Sequence, residues 1–347
     1  MKAVRIHYHG SVEQLRFEET ADPQPQSPDD VIVHLKAAAL NHTDRQIHQG
    51  SGASQSCLPR IPGSDGAGVV AAVGSAVNDF KAGDAVCLYP QSGCGACRAC
   101  RSERQSLCEQ PHRLGETVDG TYAEYVRLGA QNCFALPAGF SYEEGAAIAG
   151  DFVSAWRMLI TNAELKPGEL VLIRGVGDGA ATAALQLALR LGAHAIVTAD
   201  SAAKIAKAKA LGAAHGIDEQ SQDFPLEVRR LTAKRGVDVV VDCIGGEYWP
   251  KSFAALARGG RLVTCGASAG AQPATDLRRI FWHHLKVFGS SFGSRDELRQ
   301  VLNFLESSGT KPVIDKVFPL AQAAMAQQHL ATGRNFGKII LDIDGKG

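Results

Sequence analysis

The sequence has no long apolar run, no excess of charge of either sign and few aromatic residues, which make up 6%. Its apolar stretches all stay below the roughly 18 residues needed to cross a membrane, so no membrane span is expected. Lys plus Arg and Asp plus Glu both number 36, and this balance argues against nucleic acid or a membrane as a partner. The charged start MKAVRIHYHG lacks the apolar stretch of a signal peptide, so we expect a cytoplasmic protein.

The 347 residues are enough for two domains, and 45% of them are hydrophobic. Up to about residue 140, short apolar runs alternate with glycine, proline and aspartate turns, which predicts a β-rich domain. From about Gly150, β-branched runs such as ELVLIRG and GVDVVVDCIGG alternate with helical stretches, which predicts a parallel sheet. Beyond about Ser290 the pattern predicts a helix, a strand, a helix and a closing strand, KIILDI.

The segment VLIRGVGDGAATAALQLALRLGA predicts a strand, a glycine loop and a helix. Gly175, Gly177 and Gly179 permit a sharp turn, and the helix that follows presents N–H groups and a positive dipole end to a pyrophosphate. The small residue that packs this helix against the strand is Ala180 or Ala181, depending on the register. Because a second strand follows the helix, we expect dinucleotide binding rather than a bare chain reversal.

The residues after that second strand bear on the choice of cofactor. Asp200 can accept hydrogen bonds from the adenosine ribose diol and would repel a 2′-phosphate, which favours NAD(H). Ser201 and Lys204 are residue types that bind such a phosphate, and NADP(H) therefore stays open. Their alternative interpretation is that Ser201 caps a helix ending at Gly212 and that Lys204 is a solvated lysine.

Four of the nine cysteines lie in CGACRACRSERQSLC, with two, two and seven residues between them. Cys94, Cys97, Cys100 and Cys108 provide four thiolates, the pattern of a structural zinc site that has no open position for water. An iron–sulfur cluster fits less well because its fourth cysteine usually follows after three residues. Disulfides fit a cytoplasmic chain poorly. The single cysteines are expected to be buried small hydrophobic residues: Cys57, Cys87, Cys133, Cys243 and Cys265.

Taken together, these motifs resemble the medium-chain dehydrogenase/reductase superfamily, which includes zinc alcohol dehydrogenases and zinc-free quinone oxidoreductases. The resemblance covers essentially the whole chain, through NHTD, IPGSDGAGVVAAVG, the cysteine lobe, DGTYAEYV, the glycine loop, GGRLVTCG and FGKIIL. It is strongest for a subgroup that keeps the lobe but lacks the catalytic zinc. It implies an α/β fold, with a GroES-like β domain at 1–149 to which 289–347 return. A Rossmann domain, a doubly wound parallel sheet, is implied at 150–288.

The resemblance also implies where the catalytic zinc ligands of the family would lie. They would be a cysteine at Asn41, a histidine at Ser64 and a cysteine near Gly150, and none of these is present. Asn, Ser and Gly cannot replace thiolate and imidazole ligands in a tight zinc site, so catalysis by zinc is disfavoured. Asn41 and Thr43 are candidate catalytic hydrogen-bond donors, although residues of these types also serve simply to cap turns.

Three further features bear on the site: Asp151, a glycine–serine pattern and a set of cofactor contacts. Asp151 is a candidate proton donor or substrate contact, but a cap for a helix beginning at Phe152 is the favoured interpretation. Gly266–Gly270 matches the G-x-S-x-G pattern of hydrolases, which we set aside because a loop follows it. Cofactor contacts are implied at Cys243, Ile244, Gly266, Ala267, Phe292 and Lys338.

We therefore predict an NAD(P)(H)-dependent oxidoreductase with one structural zinc ion. It would transfer hydride to or from a small carbonyl, enone or quinone without a catalytic zinc. Two alternatives remain: a catalytically silent nucleotide-binding redox sensor or scaffold, and a zinc-assisted alcohol dehydrogenase. The expected partners are the nicotinamide cofactor and a small-molecule substrate, and the resemblance implies a homodimer or homotetramer.

Overall fold

The chain divides into two units in a computed structural model that describes residues 1–51, 57–102 and 104–345. The first unit comprises Met1–Gly150 and Ser294–Gly347, and the second comprises Asp151–Gly293. The expected domain boundaries, after residues 149 and 288, lie one residue and five residues before the observed boundaries, which follow Gly150 and Gly293. Within the described residues, no helix has both the length and the apolar character needed to cross a membrane.

The described residues form seventeen strands, numbered in chain order. They are β1 Lys2–Ile6, β2 Leu15–Glu19, β3 Asp30–Ala39, β4 Asp65–Val73, β5 Ala85–Leu88, β6 Gln91–Ser92, β7 His112–Arg113, β8 Tyr125–Gly129, β9 Cys133–Ala135, β10 Leu170–Ile173, β11 His194–Ala199, β12 His215–Asp218, β13 Val237–Asp242, β14 Leu256–Thr264, β15 Lys286–Gly289, β16 Ile314–Pro319 and β17 Lys338–Asp342.

The α-helices of the described residues are numbered in the same way. They are α1 His42–Gln49, α2 Arg98–Arg101, α3 Tyr142–Ala146, α4 Ala149–Trp156, α5 Gly179–Arg190, α6 Ala202–Leu211, α7 Phe224–Leu231, α8 Trp249–Ala255, α9 Leu277–Trp282, α10 Arg295–Ser308 and α11 Ala323–Ala331. A π-helical segment, Arg157–Asn162, extends α4. The predicted order of the last elements is confirmed, since α10, β16, α11 and β17 follow one another.

The first unit is built on a seven-stranded sheet. Its order is β16-β17-β3-β4-β5-β9, and β8 pairs with β3 off this path. The apolar side chains of β3, in DVIVHLKAAA, are buried because neighbouring strands and helices cover this central strand. β17 pairs antiparallel with β3, so the end of the chain completes the sheet that its beginning starts.

The second unit contains the predicted doubly wound parallel sheet. Its six strands run in the order β12-β11-β10-β13-β14-β15, and every pairing between them is parallel. Val239, Val240 and Val241 of β13 are fully buried, as expected for a central strand with helices on both faces. The order reverses beside β10, and in such sheets ligands bind outside the carboxyl ends of the strands at that point.

Candidate active site

The pairing of β17 with β3 brings two distant polar residues together in the first unit. Ile340 lies opposite Ala39, so Lys338 at the start of β17 comes level with Asn41, which follows β3. The Lys338 Nζ donates to Asn41 Oδ1 at 2.6 Å. Because 297 positions separate the two residues in the chain, only the return of the C-terminal strand creates this contact.

Lys338 and Asn41 belong to a group that we call the polar cluster, together with Ser64, Asp65 and Gly150. Asn41 Nδ2 donates to Ser64 Oγ at 3.0 Å and to Asp65 Oδ2 at 2.9 Å. The Gly150 N–H also donates to Asp65 Oδ2, at 3.2 Å. Lys338 Nζ lies 3.3 Å from that same oxygen, and only 4% of its side chain and none of that of Asp65 is exposed. The polar cluster is therefore built around a buried ion pair.

The polar cluster contains the three positions at which the resemblance implies the family's catalytic zinc ligands, Asn41, Ser64 and Gly150. A Cβ at Gly150 would lie 2.2 Å from Asp65 Oδ2 and 3.0 Å from Asn41 Oδ1, so the carboxylate fills the space that a ligand side chain would need. A lysine ammonium already binds the Asn41 oxygen. These donors do not fit a catalytic zinc ion, because they lack thiolate and imidazole and already hold a cation.

The two candidate donors differ in their surroundings. Both hydrogens of the Asn41 amide nitrogen are engaged within the polar cluster, by Ser64 and Asp65. In this structure the amide nitrogen therefore donates to residues of the polar cluster itself. Thr43 is exposed in the first turn of α1.

A second buried carboxylate lies beneath Asn41. Asp44 Oδ2 accepts from the Asn41 N–H at 2.8 Å and from the Tyr122 hydroxyl at 3.1 Å, and Gln327 Nε2 donates to that hydroxyl at 3.1 Å. Burial, together with the nearby charge of Asp65, raises the pKa of Asp44 to about 7 against the opposing effects of its hydrogen bonds and of Lys338. Asp44 therefore changes protonation near neutral pH, which was not foreseen from the sequence.

The glycine loop of the second unit has the predicted strand–turn–helix form. Gly175 and Gly177 have φ values of 68° and 119°, which favour glycine. The N–H of Gly175 donates to Thr198 Oγ1 at 3.1 Å and the N–H of Gly177 to Thr182 Oγ1 at 3.2 Å. Ala181 is buried in α5, the helix that begins at Gly179. The N-terminal end of α5 thus follows the turn directly, as a dinucleotide site requires.

Asp151 does not cap a helix that begins at Phe152, so the favoured interpretation is wrong. α4 begins at Ala149 rather than at Phe152, so Asp151 lies inside its first turn and is only 8% exposed. A Cβ at Gly179 would lie 2.0 Å from Asp151 Oδ2. The carboxylate thus packs against the start of α5 and would have to shift to admit a larger residue at position 179.

A buried arginine, Arg174, directly precedes the glycine loop and forms ion pairs with two carboxylates. Arg174, between β10 and Gly175, is fully buried, and its guanidinium contacts Asp242 Oδ2 at 2.9 Å and Glu219 Oε1 at 3.1 Å. Asp242 Oδ1 in turn accepts from the N–H groups of Ile244 and Gly245, both at 3.0 Å. One ion pair therefore fixes the loops after β10 and β13. This ion pair was not predicted, although an arginine that ends the apolar run VLI was a usable signal.

The other predicted cofactor residues lie at the same edge of the sheet or close to it. A Cβ at Gly175 would lie 2.7 Å from Ile244 Cδ1, so these two loops are in contact. Gly266 and Ala267 follow β14, and Phe292 follows β15.

Ser201 caps α6 by accepting from the Lys204 N–H, as predicted, and Gly212 ends that helix. Lys204 Nζ forms an ion pair with Asp200 at 3.0 Å. Lys338 is the exception, since it lies in the polar cluster of the first unit.

The four cysteines of the lobe come together. Their sulfur atoms all lie within 4.8 Å of one another, and no other such group of His, Cys, Asp or Glu occurs within the described part of the chain. Cys97 Sγ is 3.8 Å from Cys108 Sγ, which matches the roughly 3.8 Å edge of a tetrahedron with Zn–S bonds of about 2.3 Å. Hydrogen bonds from backbone N–H groups, chiefly that of Cys100, lower the pKa of the Cys97 thiol to about 6. The lobe therefore fits a structural zinc ion.

The single cysteines are not all buried, which corrects the expectation. Cys87 and Cys133 are buried, but Cys57 is exposed and both Cys243 and Cys265 are partly exposed. The last two follow strand ends, where the chain leaves the sheet.

Comparison with known proteins decides the family. Residues 27–138 match the alcohol dehydrogenase GroES-like domain, and residues 179–307 match the zinc-binding dehydrogenase domain. A zinc-type alcohol dehydrogenase-like protein of Schizosaccharomyces pombe is 34% identical over 99% of this chain and 100% of its own. The chain belongs to the medium-chain dehydrogenase/reductase superfamily.

Two further relatives of this superfamily carry a cofactor in their names. An NAD-dependent alcohol dehydrogenase of Sulfolobus acidocaldarius is 31% identical over 99% of this chain and 100% of its own. A solved NAD-dependent alcohol dehydrogenase is 40% identical, with a TM-score of 0.95 over 99% of this chain and 100% of its own. The chain is thus an oxidoreductase of the zinc-type alcohol dehydrogenase-like group, with the family's GroES-like and Rossmann domains.

Proposed function

We propose that this oxidoreductase uses NAD(H) and works without a catalytic zinc ion. The observation that supports this most is the polar cluster, in which the Lys338 ammonium binds Asn41 Oδ1 at 2.6 Å and lies 3.3 Å from Asp65. A positive charge is thus built into the region where relatives with the full ligand set would hold their metal. The proposed substrates are small carbonyls, enones and quinones.

The residues of the polar cluster have different roles in the proposed reaction. A bound nicotinamide dinucleotide supplies or accepts the hydride. The buried Lys338 ammonium stabilises negative charge that develops on a substrate oxygen, because its field is weakly screened there. Asn41 and Asp65 position that ammonium. An ammonium polarises a carbonyl less than zinc does, which favours activated acceptors over simple alcohols.

Asp200 and Lys204 support the choice of NAD(H). The ion pair between them leaves a carboxylate at the end of β11, where it can accept from the ribose diol and repel a 2′-phosphate. Fluorescence titration should show tighter binding of NADH than of NADPH. Asp200→Ser should reverse this order, because it removes the repulsion and releases Lys204 for the phosphate. A wild-type protein that prefers NADPH would contradict the assignment.

One zinc ion per chain is proposed for the cysteine lobe, with a structural role. The experiment measures zinc per chain by mass spectrometry and follows NADH consumption with quinones, enones and aldehydes. We expect one zinc ion, lost in Cys94→Ser but kept in Asn41→Ala. Two zinc ions in the wild type, one of them lost in Asn41→Ala, would refute the zinc-free site. No NADH consumption with any acceptor, despite NADH binding, would instead favour a silent sensor.

A homodimer in the cytoplasm is proposed as the working form. β15 is an edge strand of the parallel sheet. In α9, the helix that precedes it in the chain, 69% of Leu277, 62% of Phe281 and 67% of Trp282 is exposed. Such an apolar patch beside a sheet edge suits pairing with a second copy. Light scattering should report a dimer for the wild type and a monomer for Trp282→Glu. A reducing compartment would keep the lobe thiolates available for zinc.

A further inference from the structure

Two cysteines outside the zinc lobe meet at the cofactor edge of the second unit. Cys243 follows β13 and Cys265 follows β14, which are adjacent parallel strands. Asp242 pairs with Thr264, so the two cysteines are the next pair in register. Their Sγ atoms lie 2.9 Å apart, and both residues are partly exposed to solvent.

The backbone around this pair suits a disulfide bond. Neighbouring strands lie about 4.8 Å apart, within the roughly 4.4–6.8 Å that separate the Cα atoms of disulfide-bonded cysteines. Two backbone hydrogen bonds tie the loops that follow, from Ala269 N–H to Ile244 O at 2.9 Å and from Gly246 N–H to Gly270 O at 3.0 Å. The two sulfur atoms therefore stay together, and the S–S bond of about 2.05 Å requires only a small closure.

The two thiols have different surroundings. The hydrogen bond with Cys265 and burial raise the pKa of the Cys243 thiol well above its ordinary value. Cys243 therefore keeps its proton, and its Sγ also lies 3.9 Å from Met158 Sδ. This arrangement suits an oxidation in which Cys265 reacts first and Cys243 resolves the product.

We propose that Cys243 and Cys265 form a reversible disulfide when a hydroperoxide oxidises the protein. The Cys265 thiolate attacks one peroxide oxygen, the O–O bond breaks, and the leaving oxygen takes up a proton and departs as water or an alcohol. The sulfenic acid on Cys265 is then attacked by Cys243. The S–S bond forms, the S–O bond breaks, and the proton lost by Cys243 leaves with the oxygen as water. Two electrons pass from the thiols to the peroxide, and a dithiol later reduces the disulfide to two thiols while it is itself oxidised to a disulfide.

The disulfide would lie where the cofactor is proposed to bind, and this part of the inference rests on the proposed function. Both cysteines follow strands at the carboxyl edge of the sheet, the edge that carries the glycine loop. A dinucleotide bound there covers them. NADH at 100 times its dissociation constant leaves about 1% of the protein free and should slow disulfide formation about 100-fold.

The experiment treats the zinc-loaded protein with hydrogen peroxide and maps its tryptic peptides. A disulfide joins the peptides 236–251 and 262–278, with the loss of two hydrogen atoms, and dithiothreitol separates them. Cys265→Ser should abolish this product and leave Cys243 unoxidised, because the residue that reacts first is missing. Cys57→Ser is the matched control and should still form it, since Cys57 lies outside this unit.

Three results would overturn the proposal. The first is peroxide treatment that oxidises the exposed Cys57 but leaves the two peptides separate. The second is an equal rate of crosslinking with and without NADH, in a protein that a fluorescence titration shows to bind NADH. The third is a disulfide that dithiothreitol does not reverse. Failure of that titration on the untreated protein would count against the proposed function, whereas the crosslink without cofactor tests the cysteine pair by itself.

Discussion

Replacing Lys338 with methionine tests the polar cluster most sharply, because methionine keeps the apolar length of the side chain and removes its charge. The ammonium of Lys338 is almost wholly buried and lies 3.3 Å from Asp65 Oδ2. After the change, Asp65 keeps the hydrogen bonds from Asn41 and Gly150 but loses its counter-charge. A buried carboxylate is left without a neutralising partner.

The expected cost follows from that burial. Removing one member of a buried ion pair destabilises a protein by about 3–5 kcal/mol, far more than the roughly 0–1 kcal/mol of a surface pair. In a unit of about 200 residues, 1 kcal/mol lowers the melting temperature by about 2–4 °C. Lys338→Met should therefore lower the melting temperature of the first unit by about 6–20 °C, and kcat for enone or quinone reduction should fall as well.

A double-mutant cycle separates the ion pair from packing. Asp65→Asn removes the carboxylate charge, and the double variant Lys338→Met with Asp65→Asn should recover most of the lost stability without recovering kcat. Urea unfolding and thermal melting of the four proteins measure the coupling. A coupling below about 0.5 kcal/mol, or a Lys338→Met protein with wild-type kcat, would refute the reasoning.

The remaining predictions concern other parts of the chain. Because burial raises the pKa of Asp44 to about 7, wild-type stability should fall as pH rises from about 4 to about 7, by up to about 4 kcal/mol. Asp44→Asn should remove this slope in urea unfolding, and an unchanged slope would count against the buried carboxyl. Arg174→Met removes the counter-charge of the buried Asp242, so it should cost about 3–5 kcal/mol and weaken NADH binding. Unchanged NADH binding would show that this ion pair does not hold the cofactor loops in place. Chelation of the zinc ion should lower the melting temperature, as Cys94→Ser should, and Cys57→Ser should not.

The fold was predictable because its signals are local. The buried runs of β10 and β13, the glycine turn and the helices between the strands each follow from a few consecutive residues. The cysteine lobe was predictable for the same reason, since the spacing of its four residues alone brings the sulfur atoms together.

The polar cluster and the cysteine pair could not be predicted in this way. Lys338 and Asn41 are 297 positions apart and meet only through the register of β17 on β3. Cys243 and Cys265 become neighbours only because β13 and β14 are adjacent with Asp242 opposite Thr264. Periodicity gives the existence of a strand but not its register, and each of these contacts depends on register. The start of α4 was misjudged for a related reason, because helix ends are set by the packing around them.

We propose that a lysine ammonium occupies the region where relatives with the full ligand set would bind zinc. Anomalous diffraction at the zinc absorption edge, from crystals grown with zinc and NADH, tests it most directly. We expect one zinc peak, and it should lie between the sulfur atoms of Cys94, Cys97, Cys100 and Cys108. We also expect electron density for the Lys338 side chain in contact with Asn41 and Asp65. A second peak bound by Ser64 or Asp65, with Lys338 displaced, would contradict it.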